Sequence, residues 1–132
     1  MADNKKTILI IDDDADYLFT METFLTRNGF AVETADDGEK GLALAKEIQP
    51  GLILLDVMMK SLYSGFEVCR QLRSDPLYKG IPIIGISAMK DELGVQFEPA
   101  SDAEYFNPDA FFDKPIDKDA LLVKINDLIQ AG

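Results

Sequence analysis

Residues 8–14 read Ile8-Leu9-Ile10-Ile11-Asp12-Asp13-Asp14, an aliphatic run that passes straight into three carboxylates. Without polar alternation, the apolar run suits a β-strand buried on both faces, and such strands belong to parallel sheets clad by helices on either side. The step from Ile11 to Asp12 marks the carboxyl end of that strand. Outward from it the pattern repeats. Ala15 to Asn28 carries Leu18, Met21, Phe24 and Leu25 at helical spacing, and Gly29 supplies a left-handed stop. Phe30 to Ala35 reads as a second strand, Gly38 to Ile48 as a second helix, and Leu52 to Leu55, after Pro50-Gly51, as a third strand. Phe66 to Arg73 places Val68, Cys69 and Leu72 at helical spacing, while Pro82 to Ile86 and Ala110 to Phe112 supply the fourth and fifth strands. Asp117 to Ala131 is amphipathic through Leu121, Leu122, Ile125, Leu128 and Ile129, with Asp117 as N-cap. Residues 89–109 exceed what a single helix and its loops need, and part of them is expected to be helical.

Strands alternating with helices predict an α/β fold, a doubly wound five-stranded parallel sheet with right-handed crossovers and helices on both faces. At 132 residues the chain fits a single domain, with a folded core from about 6 to 130. The 24 acidic against 13 basic residues give a net charge of −11, and the longest basic cluster is Lys5-Lys6, so neither nucleic acid nor an anionic membrane is expected as a partner. There is no histidine, which excludes Ser-His triads, His-ligated zinc and phosphohistidine carriers. The single cysteine, Cys69, has no intramolecular disulfide partner and reads as a small buried apolar residue. No signal peptide or membrane span is legible, and a cytoplasmic location is expected.

In an open parallel sheet, ligands bind beyond the carboxyl ends of the strands, so the residues that follow each apolar run matter most. Asp12, Asp13 and Asp14 follow the first run, Asp56 the third, Ser87 the fourth and Lys114 the fifth. Singly, each has a plain structural use: Asp14 as a helix cap, Asp56 as a cap or loop residue, Lys114-Pro115 as a turn. Together they are chemically coherent. Crowded carboxylates repel unless a cation sits among them, and Mg²⁺ needs only one or two of them while leaving positions for phosphate oxygens. A carboxylate can then take a phosphoryl group as an acyl phosphate, with the metal, Lys114 and Ser87 neutralising the equatorial oxygens.

The sequence resembles the receiver domain of two-component response regulators over essentially its whole length. The resemblance rests on ILIIDDD (8–14), LILLD (52–56), GFEVCRQLR (65–73), PIIGISA (82–88) and FFDKPI (111–116), in order and at family-like spacing. It implies a flavodoxin-like (βα)5 fold with strand order 2-1-3-4-5. It further implies that Asp56 accepts the phosphoryl group and that Asp13 and Asp56 ligate Mg²⁺ with the Met58 carbonyl. Asp12 would act through water, and Lys114 and Ser87 would contact the phosphoryl oxygens. Phe111 stands where the family has an aromatic that moves inward with the switch hydroxyl. The implied donor is a histidine kinase or a histidine phosphotransfer protein in a two-component system or phosphorelay. The output, a surface change in the fourth and fifth βα units, would serve a partner whose identity the sequence leaves open. Two departures stand out: Lys60 replaces the family's proline four residues after the acceptor, and Gly65 lies nine residues on rather than eight. Met58 and Met89 flank the site where polar side chains can orient hydrolytic water, so slow self-dephosphorylation is expected. The chain reads as a stand-alone switch, not a metabolic enzyme. Its alternatives are a phosphorylation-independent interaction module, a flavodoxin-like electron carrier and a magnesium-dependent phosphatase.

Overall fold

The computed structural model describes residues 6–56, 64–87, 109–113 and 116–131. In chain order these form β1 (Thr7–Ile11), α1 (Ala15–Arg27), β2 (Ala31–Ala35), α2 (Gly38–Ile48), β3 (Leu52–Asp56), α3 (Ser64–Ser74), β4 (Ile83–Ser87), β5 (Ala110–Asp113) and α4 (Lys118–Ala131). All neighbouring strands pair in parallel, in the order β2-β1-β3-β4-β5. This is the doubly wound α/β sheet expected from the alternation of apolar runs and helices.

The twofold period of the strands divides the core. Leu9 and Ile11 of β1, Ile53 and Leu55 of β3 and Ile83 of β4 pack with Ala45 of α2 and Val68, Cys69 and Leu72 of α3. Ile8, Ile10, Leu52, Leu54, Ile84 and Ile86 point to the other face, where α1 contributes Leu18, Met21 and Leu25 and α4 contributes Leu121 and Ile125. Cys69 is fully buried within the first of these layers. Double-faced burial holds for the central strands and fails at the sheet's edge. β2 alternates between exposed and partly buried positions as far as the buried Ala35, because it is the edge strand of the sheet and pairs only with β1 among the described residues.

Helix ends follow the local chemistry. Asp14 caps α1, accepting from the amides of Asp16 (3.0 Å) and Tyr17 (3.3 Å) through Oδ1. Asp117 does the same for α4, accepting from Asp119 (3.0 Å) and Ala120 (3.1 Å). Gly29 ends α1 at φ +93°, as its position in the sequence predicts. On α2, Gly41 lies so close to β1 that a Cβ there would stand 2.5 Å from Ile11 Cδ1. At the amino-terminal edge of the sheet, Arg73 from the end of α3 donates to the carbonyls of Lys79 (2.7 Å) and Ile81 (2.9 Å) and to Asp109 Oδ2 (2.6 Å). Asp109 in turn accepts from the Ile83 amide at 2.8 Å, so one ion pair ties α3 to the entries of β4 and β5.

Candidate functional site

The carboxyl ends of β1 and β3 are level. Ile11 pairs with Leu55, so the following residues, Asp12 and Asp56, emerge at the same height on adjacent strands. Asp12 is 1% exposed and Asp56 5%, the buried acidic residues, among those described, of a core that is otherwise apolar. Asp13 is half-buried beside them. Carboxylate oxygens from Asp12, Asp13 and Asp56 all lie within 4.8 Å of one another.

Backbone geometry holds this group in place. The Asp12 amide donates to the Ala35 carbonyl at 3.1 Å, carrying the β1–β2 ladder one residue beyond the strand. Asp12 Oδ1 accepts from the Asp14 amide at 2.9 Å, turning the chain toward α1. Asp14 is spent on capping and stands outside the carboxylate cluster, in agreement with its reading as a cap. Three anionic groups this close repel, and oxygen donors alone favour a hard cation over a soft one. The donor set therefore fits Mg²⁺, with Asp12, Asp13 and Asp56 as the side chains that would hold it.

The sequence reading placed Asp56 and Ser87 just past their strands. Both are instead the last residues within them, because the neighbouring strands are long enough to pair with them: Asp56 with Ile86, and Ser87 with Asp113. Ser87 thus sits at the carboxyl edge beside the residue that precedes Lys114. Lys114, Met58, Lys60 and Met89 lie outside the described residues, as do residues 89–108, where a helix was expected. Phe111 is half-buried on β5, opposite Gly85, and packs against the layer formed with α2 and α3.

One residue of the site was not singled out from the sequence. Tyr17, in the first turn of α1, packs against the layer beneath α1 and α4, and its phenolic oxygen is shielded from solvent. Burial, followed by the charges of Asp12 and Asp56, pushes the phenol's pKa well above the usual tyrosine range. The signal was present in the sequence as an aromatic with a polar tip one helical turn beyond the acidic run.

Comparison with known proteins agrees with this geometry. The family model described as "Response regulator receiver domain" matches residues 8–126. Transcriptional regulatory protein AfsQ1 of Streptomyces coelicolor is 38% identical over 96% of this chain, which spans about half (52%) of that relative's length. Protein PilH of Pseudomonas aeruginosa is 31% identical, covering 90% of this chain and 93% of its own. The crystal structure of a CheY-like response regulator receiver domain protein from Methanospirillum hungatei superposes with a TM-score of 0.81 at 26% identity, over 96% of this chain and 94% of that one. Because the family match begins in β1, passes through the acidic cluster and reaches into α4, the chain belongs to the response regulator receiver domain family of two-component signalling.

Proposed function

We propose that this receiver domain is a Mg²⁺-dependent phosphoacceptor switch in which Asp56 takes a phosphoryl group from the phosphohistidine of a histidine kinase or histidine phosphotransfer protein. The observation that carries this reading is the burial of Asp12 and Asp56 within 4.8 Å of each other and of Asp13, at the edge where parallel sheets bind ligands. Bound there, Mg²⁺ supplies charge neutralisation for the carboxylates and for one phosphoryl oxygen. An Asp56 oxygen attacks phosphorus. The new O–P bond forms as the N–P bond of the donor breaks, and the departing imidazole keeps the electron pair and takes a proton from water. Asp13 and Asp56 hold the metal with the Met58 carbonyl, and Asp12 acts through water. Lys114 and Ser87 take the remaining phosphoryl oxygens, and Phe111 is the aromatic arm of the switch on β5. The net charge of −11 favours a protein partner for the output over direct contact with nucleic acid by these residues.

The test is intact-protein mass after incubation with acetyl phosphate, with and without Mg²⁺, and with Asp56→Asn as control. A metal-dependent gain of one phosphoryl group that vanishes in the variant is expected. No gain in a folded protein that binds Mg²⁺ would favour the second reading, a phosphorylation-independent interaction module, to which Lys60 and the shifted Gly65 lend support.

A further inference from the structure

Among the described residues β2 pairs with β1 alone, so its outer side is an open strand edge. The Ala35 carbonyl faces β1, where it accepts from the Asp12 amide at 3.1 Å. Backbone groups of successive strand residues point to opposite sides, so the N–H and C=O groups of Val32 and Thr34 face outward. Proteins commonly guard such an edge with lysine, proline or a bulge. β2 reads Ala31-Val32-Glu33-Thr34-Ala35 in unbroken register with β1, and its one charged guard is Glu33.

A cleft of about 580 Å³ lies along this edge. Ala15 and Leu18 of α1 form one wall, Leu44 and Glu47 of α2 the other, with Thr34 and Ala35 between them. The two helices pack on opposite faces of the sheet, so the cleft straddles the sheet plane, where a sixth strand would continue it. Its two walls differ in chemistry. The α1 wall is apolar. On the α2 side stand Glu47 and, on the same face of β2 as Ala35, Glu33. Both are exposed, and neither has an ion-pair partner among the described residues. Lys40, which also lines the cleft, is already held by Asp36 at 3.0 Å and lies 3.8 Å from Asp37.

From this arrangement we propose that the β2 edge is a docking slot for an extended segment of a partner protein in which basic and apolar residues alternate. The segment pairs with the outward backbone groups of Val32 and Thr34 as an added strand. Its apolar side chains face Ala15 and Leu18, and its basic ones face Glu33 and Glu47. A second copy of this chain is the poorer occupant. Its own β2 edge would set Glu33, Asp36 and Glu47 against the same carboxylates, on two molecules that each carry a charge of −11. Occupancy of the slot requires neither Mg²⁺ nor a phosphoryl group at Asp56.

The probe is a capped peptide of alternating lysine and valine, titrated into ¹⁵N-labelled protein at physiological salt while the amide resonances are followed. Saturable shifts centred on Val32, Thr34 and Glu47 are expected, with slower amide exchange at Val32 and Thr34 once the slot is filled. The same peptide methylated on every backbone nitrogen keeps its charge but has no donor for the strand ladder, and should bind at least roughly tenfold more weakly. Glu47→Lys, a change at an exposed position of α2, should weaken the unmethylated peptide by roughly fivefold. The absence of saturable binding overturns the proposal. Shifts spread over the whole acidic surface, or equal affinity of the methylated peptide, reduce the contact to charge alone and overturn it as well. A wild-type dimer in sedimentation, with the Val32 and Thr34 amides already protected, gives the edge to a second copy instead.

Discussion

Gly41→Ala should destabilise the protein although alanine is the better helix former. A Cβ at Gly41 would lie 2.5 Å from Ile11 Cδ1, 2.7 Å from Cγ1 and 2.9 Å from Cγ2. Carbon atoms in ordinary contact sit about 3.5–4.0 Å apart, so Ile11 would have to retreat by roughly 1 Å. A rotamer change offers no escape, because both branches of the side chain are in the way and Ile11 is fully enclosed. Overpacking of this kind costs about 1–3 kcal/mol, while the gain in helix propensity returns about 1 kcal/mol. The net expectation is a loss of about 1 kcal/mol. Urea unfolding followed by circular dichroism, with a slope of ~1–3 kcal/mol/M, would show the midpoint falling by roughly 0.5 M. Ile11→Val, which deletes Cδ1, should shrink the Gly41→Ala penalty when the two are combined. Ile11 directly precedes Asp12, so Mg²⁺ affinity should weaken in the single variant as the strand end shifts. A midpoint that rises by the amount propensity alone predicts would refute the close packing of α2 on β1.

The remaining predictions concern the far edge, the phenol and the switch. Arg73→Met removes the donor shared by the carbonyls of Lys79 and Ile81 and by Asp109, and should cost about 2 kcal/mol in the same urea assay. In the unfolded chain Tyr17 releases its proton near pH ~10, whereas in the folded protein it holds on to higher pH. The unfolded state then binds fewer protons, so stability should fall as pH rises above that value, and Tyr17→Phe should flatten the fall. Met58→Asn should shorten the lifetime of the phosphorylated protein, read by loss of the added mass after the phosphodonor is removed. Phe111→Ala should leave phosphorylation intact while reducing the change in amide exchange over β5 and α4 that beryllium fluoride induces in wild type. An undiminished change would remove Phe111 from the switch.

Much of this architecture was legible because its signals are local. Apolar runs gave the strands, helical spacing the helices, and an acidic residue directly ahead of an apolar face gave the caps at Asp14 and Asp117. The acidic cluster followed from a rule about strand ends, which needs only the element order. What escaped depends on partners distant in sequence. Asp56 and Ser87 stay in the ladder because adjacent strands extend to meet them. The Arg73–Asp109 pair spans 36 residues with no periodic cue. Tyr17 carries no cue within α1 itself, and burial together with charges brought from β1 and β3 sets it apart. Gln49 closes α2 in the left-handed region at φ 46°, a conformation the sequence signals at glycine and conceals at glutamine.

The division of the core into two aliphatic layers bears on how the sheet finds its alignment. In a strand with one wet face, a slip of one residue throws the oily set into water and is penalised at once. β1 and β3 lack that safeguard, since a slip would merely trade one greasy face for the other. Discrimination must come from shape and from the strand tips. The notch at Gly41 accepts Ile11 at one height, and a shifted β1 would drag Asp12 down among the aliphatic side chains. The acidic tips thereby act as chocks against a slip, and the coincidence of Asp12 and Asp56 at one level follows from the register of the sheet itself.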